Sequence, residues 1–189
     1  EPHQQSWFQN KPERSLGMIH RSGVTSDSPV IDVGGGASHL VDHLLHEGYQ
    51  DLTVLDISAI AIEKSRQRLG DAAGRVQWFQ QDVLTFVPPQ KYGLWHDRAV
   101  FHFLRGEQDQ QLYLDVLCCA LRRGGQLVVA AFALDGPEKC SGLEVCRHDA
   151  ASLQHVLGNS FHLQEQENEV HLTPAGKPQR FGYYRFTYG

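Results

Sequence analysis

The stretch that most limits how this chain can fold runs from Pro29 to Asp56. Val30-Ile31-Asp32-Val33 has the length and apolar character of a buried strand, and Gly34-Gly35-Gly36 follows as a turn. Leu40, Val41, Leu44 and Leu45 then recur at the spacing of one helix face, Gly48 closes that helix, and a second apolar run, Leu52-Thr53-Val54-Leu55, ends on Asp56. Strand, glycine turn, helix and strand in this order form a β-α-β unit, which calls for a parallel sheet with helices packed on it. Glycines in the turn let the backbone bend tightly and let a ligand approach where a Cβ would intrude. A carboxylate at Asp56 can accept both hydroxyls of a ribose. The unit therefore points to a nucleoside cofactor at the carboxyl ends of the strands, against the plainer reading of a tight structural turn.

The same alternation continues down the chain. Ser58 is a good N-cap for a helix through Ile60, Ile62 and Leu69. Val76 to Phe79 predicts a third strand and Tyr92 to His96 a fourth; Leu112 to Leu121 is the core-facing part of a helix that stops at Gly124-Gly125, and Leu127 to Phe132 predicts a fifth strand. An opening helix is expected from Pro12 to Arg21. After the turn-rich segment Ala133 to Arg147 come a short helix, Ala150 to Leu157, and two late strands near Phe161 to Gln166 and Phe181 to Tyr188 that can form an antiparallel edge. No repeat or linker divides the sequence, so the expectation is an α/β fold in one domain, residues 1–189, with residues 1–22 as an N-terminal helix and lid.

Composition narrows the function classes. With 17 Lys and Arg against 22 Asp and Glu the formal charge is -5, the opposite of what phosphate neutralisation requires, so a nucleic-acid partner is not expected. No apolar run approaches the roughly 20 residues that span a bilayer, and no membrane partner is expected. The four cysteines, Cys118, Cys119, Cys140 and Cys146, make no C-x-x-C pair, so reduced thiols in a cytoplasmic protein are the simplest account. His39, His43 and His46 fall at i, i+4 and i+7, a spacing that can hold a metal, but no Cys or carboxylate completes a ligand set; they read as a solvated stripe, and no metal is expected.

A dinucleotide fingerprint would need a third glycine where His39 stands. The run Asp32-Val33-Gly34-Gly35-Gly36-Ala37-Ser38 instead resembles motif I, D-x-G-x-G-x-[GS], of the class I S-adenosylmethionine-dependent methyltransferases. The resemblance extends over most of the chain. Asp56 matches the acid that binds the ribose, Asp82 the acid that meets the adenine amino group, and His96-Asp97-Arg98-Ala99 the segment against the methionyl part. Leu121-Arg122-Arg123-Gly124-Gly125 matches the L-[KR]-P-G-G turn, with Arg123 in place of proline, and Gly35 stands where relatives often carry Cys. The resemblance implies a Rossmann-like three-layer sandwich with a mostly parallel seven-stranded sheet in the order 3-2-1-4-5-7-6, the last strand antiparallel. It also implies S-adenosylmethionine as cofactor and S-adenosylhomocysteine as product. By the same resemblance Asp32 sits near the methionyl ammonium, Gly34, Gly35 and Gly36 form the cradle, Ile57 packs on the adenine, and the Val83 amide reads the ring edge. Trp7, in the aromatic segment Ser6 to Asn10, is expected in a lid over the cofactor.

Methyl transfer from a sulfonium is an in-line displacement, so a protein has chiefly to align the acceptor and, where needed, remove a proton. The segments after strands four and five should face the acceptor, which selects Asp97, Arg98, His102, Cys140, Arg147 and His148. Of these Asp97, Arg98 and His102 are the expected catalytic group, with His102 as base because imidazole titrates near neutrality; the alternative for His102 is a core or capping histidine. The chain adds little to the core fold, so a small nucleophilic acceptor is expected ahead of a protein, with a lean to a sulfide or small thiol. A protein lysine N-methyltransferase and a non-catalytic S-adenosylmethionine-binding protein are the alternatives, and nothing in the sequence bears on oligomeric state.

Overall fold

The computed structural model describes residues 8–189. The first strands are β1 (Val30–Val33), β2 (Leu52–Asp56), β3 (Val76–Gln80), β4 (Tyr92–Arg98) and β5 (Leu121–Phe132). A small hairpin follows, β6 (Lys139–Cys140) with β7 (Leu143–Glu144), and then come the long strands β8 (Phe161–Leu172) and β9 (Pro178–Tyr188). Seven strands form one sheet in the order β3-β2-β1-β4-β5-β9-β8. Once the hairpin is set aside this is the expected order, parallel from β3 to β5 with β9 running antiparallel to β5.

Helices cover both faces of the sheet. Against one face, α1 (Glu13–Arg21) and α2 (Leu40–His46) pack Leu16, Ile19, Leu40 and Leu44 onto Val30, Val54 and Val128. Against the other, α4 (Glu107–Ala120) and α5 (Ala150–Leu157) pack Tyr113, Leu117 and Leu153 onto Ile31, Val33 and Val129. Alternate residues of β1 thus enter opposite cores, which is why the strand reads as a continuous apolar run. Between β2 and β3, α3 (Ala59–Leu69) starts at the expected cap, where the Ser58 hydroxyl accepts from the Ala61 amide at 3.2 Å.

The structure departs from the sequence reading at element ends. β4 continues past His96 to Arg98, and β5 starts at Leu121, directly after α4, so Gly124 turns at φ 75° inside the strand rather than merely ending the helix. The late strands are the larger departure, since β8 runs to Leu172 and pairs along its length with β9. Its middle, Gln164-Glu165-Gln166-Glu167-Asn168-Glu169, is poor strand material by composition. Tertiary charge pairing compensates: Glu165 is bonded by Arg185 from β9 and by Arg21 from α1, and Glu167 by Arg14 and Arg21. Among the described residues no helix is long and apolar enough to cross a membrane.

Candidate active site

The carboxyl ends of β1, β2 and β4 open on a cavity of about 590 Å³, and α1 and the residues just before it form one wall. Parallel sheets place ligands at these ends, in the crevice where the order of strands reverses, here between β1 and β4. The glycine turn lies in the floor, and each of its residues is required by a close approach. At Gly34, φ is 71° and a Cβ would lie 2.2 Å from the Val100 side chain. A Cβ on Gly35 would fall 2.3 Å from Asp32 Oδ2, and one on Gly36 2.5 Å from Asp56 Oδ2.

Those two carboxylates differ in what holds them. Asp56 is gripped by backbone, with the Gly36 amide donating to Oδ2 at 2.9 Å and the Ser58 amide to Oδ1 at 2.8 Å. Burial nevertheless raises its pKa, and these two amides offset part of that rise. Asp32 is 4% exposed; its Oδ1 takes a 2.7 Å hydrogen bond from His96 Nδ1, whereas Oδ2 has no partner among the described residues. An orphaned acid oxygen in the wall of a cavity is a site for a cation. At the other end, the Asp82 side chain accepts from the Leu84 amide at 2.9 Å, and Val83 is buried beside it. Ile57 and Ile60 line the same region although 70% and 71% exposed, so a flat apolar ring laid there would cover them.

Of the residues expected to bind cofactor, the cavity thus brings together Asp32, Gly34, Gly35, Asp56, Ile57, Asp82 and Val83, with Gly36 just behind Asp56, whereas Asp97, expected among them as well as in catalysis, does not line it. Trp7 lies outside the described residues. Phe8 is described, packed edge-on to His39 with ring centroids 5.0 Å apart, and Gln9 and Pro12 line the cavity. His39 and His43 both contact the Asn10 carbonyl, at 3.3 and 3.2 Å, while His46 is exposed.

Of the three residues expected to act in catalysis, the structure brings one to the cavity. Arg98 lines it, its Nε donating to the Tyr183 hydroxyl at 2.8 Å and its guanidinium lying 4.7 Å from the centre of the Phe181 ring. Asp97 points into the opposite core. It is 0% exposed, accepts from the Val100 and Phe101 amides and from the Tyr113 hydroxyl at 2.7 Å, and so fastens the turn after β4. That turn is strained, with Ala99 at φ 69°. Burial raises the pKa of Asp97 to about 6, with the Tyr113 hydrogen bond and the two amides opposing the rise.

His102, expected as the base, is 0% exposed and absent from the cavity wall, enclosed between Phe103 and Phe132 with no hydrogen-bond partner for either ring nitrogen among the described residues. Burial, with smaller contributions from His148 and Arg98, lowers its pKa to about 3. A ring so placed can neither reach an acceptor in the cavity nor hold a proton near neutrality. His148 is also buried, against Phe101, and Arg147 pairs with Glu138 outside the cavity. Cys140 lines the cavity.

Ser15 is a lining residue to which the sequence reading gave no role, and Gln9 was reached only as part of the expected lid segment. Ser15 on α1 meets His96 Nε2 at 2.8 Å, and the only sign of it was a polar residue on the buried stripe formed with Met18 and Ile19. Gln9 donates its amide to both oxygens of Glu169, at 3.0 and 3.1 Å, which leaves its Oε1 buried with no described partner.

The fold and this cavity define a class I methyltransferase domain. The family described as "Methyltransferase domain" matches residues 31–127, and the chain belongs to it. A curated relative, malonyl-[acyl-carrier protein] O-methyltransferase of Anoxybacillus flavithermus (strain DSM 21510 / WK1), is 30% identical over 99 residues, which is 51% of this chain and 37% of that protein. The match therefore spans little more than a third of the relative. Among solved structures, one concerned with the conversion of a disulfide bond into a thioacetal group during echinomycin biosynthesis superposes with a TM-score of 0.78 at 18% identity, covering 100% of this chain and 88% of the other. The N-methyltransferase NodS from Bradyrhizobium japonicum WM9, in complex with S-adenosyl-L-homocysteine, superposes with a TM-score of 0.71 at 19% identity, covering 95% and 89%.

Proposed function

We propose that this chain is an S-adenosylmethionine-dependent methyltransferase acting on a small polar acceptor. The observation that carries the reading is the pairing, in one cavity, of the orphaned Asp32 Oδ2 with the backbone-held Asp56 carboxylate, at the tips of adjacent strands. Asp32 would hold the methionyl ammonium, Asp56 the ribose diol, Asp82 and the Val83 amide the adenine edge, and Ile57 the adenine face. When bound, the cofactor supplies an electrophilic methyl on a sulfonium.

The chain's own residues then have to seat the acceptor. Arg98, Gln9, Phe103 and Cys140 line the same cavity and would offer the acceptor a guanidinium, an amide oxygen and an apolar wall. His96 is the one imidazole among the described lining residues, and it is already bonded on both sides. No described group there is placed to serve as a strong base. This favours acceptors whose nucleophilic atom arrives unprotonated, such as a carboxylate, a free amine or an acidic thiol. The comparisons lend support, with a relative named as a malonyl-[acyl-carrier protein] O-methyltransferase and similarly folded structures named as N-methyltransferases of 1,6-didemethyltoxoflavin and of a glycopeptide. They broaden the acceptor beyond the sulfur nucleophile that the sequence favoured. Cytoplasmic residence belongs to this reading, as does the assignment of residues 1–22 to an N-terminal helix with a lid segment, of which residues 1–7 lie outside the described residues.

The test is S-adenosylhomocysteine formation followed by mass spectrometry with a panel of carboxylates, amines and thiols. Turnover is expected with one of these classes, and Asp56→Ala should weaken S-adenosylmethionine binding by about 1.5–3 kcal/mol, the size of a lost charge-assisted hydrogen bond. Unchanged affinity in that variant overturns the cofactor assignment.

A further inference from the structure

We propose that His96 and Ser15 form a buried positioning relay that aims the Asp32 carboxylate at the methionyl ammonium and ties helix α1 to that contact. The inference rests on the cofactor reading above and adds two residues to it. Asp32 and His96 are directly opposite in the β1–β4 ladder, so their side chains rise together from the sheet. Asp32 is 4% exposed, His96 2% and Ser15 0%.

The proton positions along the relay follow from donor and acceptor capacity. A carboxylate only accepts, so His96 Nδ1 carries the hydrogen in the 2.7 Å bond to Oδ1. The other ring nitrogen, Nε2, lies 2.8 Å from the Ser15 hydroxyl, which can donate to its lone pair or accept from it and so holds the ring in either case. The carboxylate thereby fixes the tautomer, Ser15 holds the ring from its far side, the held ring fixes the rotation of Asp32, and Oδ2 is left as the oxygen without a described partner. Space around Oδ2 exists because Gly35 has no Cβ to occupy it. Binding subsites need this kind of support, since a group free to rotate must be ordered again each time a ligand arrives. The helix that carries Ser15 also brings Pro12 to the cavity, so the seating of α1 and the grip on the ammonium are one structural event.

Two ligands separate the relay from general support of the fold. S-adenosylhomocysteine carries the ammonium, and 5′-methylthioadenosine keeps the adenosine and thioether without the amino-acid part. Both are titrated calorimetrically into the full chain as wild type, His96→Asn, His96→Gln and Ser15→Ala, with melting temperatures recorded for each. The Asn amide nitrogen can stand where Nδ1 stood and hold Asp32, whereas the longer Gln amide reaches the Nε2 position and leaves Asp32 unheld. His96→Gln is therefore expected to lose about tenfold or more in S-adenosylhomocysteine affinity, the scale of one charge-assisted hydrogen bond, with methylthioadenosine affinity within about twofold of wild type. His96→Asn should restore most of that loss, and Ser15→Ala should lose a few-fold on the ammonium ligand only. Equal weakening of both ligands in His96→Gln and Ser15→Ala, or no change in either, overturns the relay while leaving the cofactor reading intact. A wild-type chain that binds neither ligand overturns the cofactor reading, and the relay with it.

Discussion

His96 and His102 stand at the two ends of the same short segment, both buried, and their surroundings have nothing else in common. His96 faces the cavity and spends both ring nitrogens on partners, Asp32 on one side and Ser15 on the other. His102 sits one layer behind Phe103, which lines the cavity, packed against the rings of Phe103 and Phe132 with no hydrogen-bond partner among the described residues. Burial alone does not make a histidine functional. A buried imidazole that is hydrogen-bonded at both nitrogens transmits orientation from one group to another, whereas one without partners contributes shape and is a weak point wherever protons are abundant.

Truncating His102 is the strongest way to break this contrast. His102→Ala is expected to lose about 2–4 kcal/mol of stability in denaturant titration, the range for emptying the place of a large buried side chain. His102→Phe keeps the volume and removes two bare polar atoms from between Phe103 and Phe132, so it should be as stable as wild type or more so. Turnover per folded molecule should persist in the Phe variant. A loss of a hundredfold or more there, with stability preserved, would return His102 to the role of base.

The pH dependence sharpens the same contrast. His102 has a folded-state pKa lowered to about 3 from its ordinary 6.5, so its stabilising contribution is full above 6.5 and is lost as pH falls toward 3. By pH 4.5 the loss is roughly 2–3 kcal/mol. Asp97 runs the other way. With its pKa raised from 3.8 to about 6, its contribution is present below 3.8 and is lost as pH rises through 6, by about 3 kcal/mol in all. Between pH 4 and 6 the two slopes oppose each other in the wild type. Stability measured as a difference between His102→Phe and wild type cancels every other group, and that difference should grow by roughly 2–3 kcal/mol from pH 7.5 to pH 4.5. A flat difference would mean that water or protein reaches the His102 ring.

What could be read from the sequence follows the range of the interactions concerned. The alternation of strands and helices, the glycine turn and the carboxylate at the end of β2 depend on local periodicity and on spacing within one β-α-β unit, whereas the strand order and the places of Asp32 and Asp82 followed only from the resemblance; Asp32, Asp56 and Asp82 line one cavity. Ser15 and Gln9 matter only because α1 and the segment before it pack across the strand ends, contacts made with His96 and Glu169 far along the chain. The error over His102 and Asp97 has a simple geometric origin. Within β4 Asp97 faces the side of the sheet opposite to His96, and after it the backbone turns through Ala99 at φ 69° into a short 3-10 turn, Phe101–Phe103, that leaves His102 behind Phe103, so proximity in sequence to Arg98 did not place them in the same cavity. The length of β8 was hidden for a related reason, because its glutamates are held by arginines from α1 and β9 rather than by propensity.

The smallest effect tests the support behind Asp97. The Tyr113 hydroxyl accepts from Trp95 Nε1 at 2.9 Å and donates to Asp97 at 2.7 Å, so one oxygen serves two buried polar groups. Tyr113→Phe should cost about 1–3 kcal/mol at neutral pH, the penalty for leaving buried polar groups short of a partner. It should also move the Asp97 titration higher, since the lost bond is the one that most opposes its burial. The cost is therefore greater at pH 7.5, where the carboxylate must be ionised, than at pH 4, where it is protonated. A penalty equal at the two pH values would mean that Tyr113 supports the core through its ring and Trp95 alone, and that the turn after β4 is fastened by the Val100 and Phe101 amides without it.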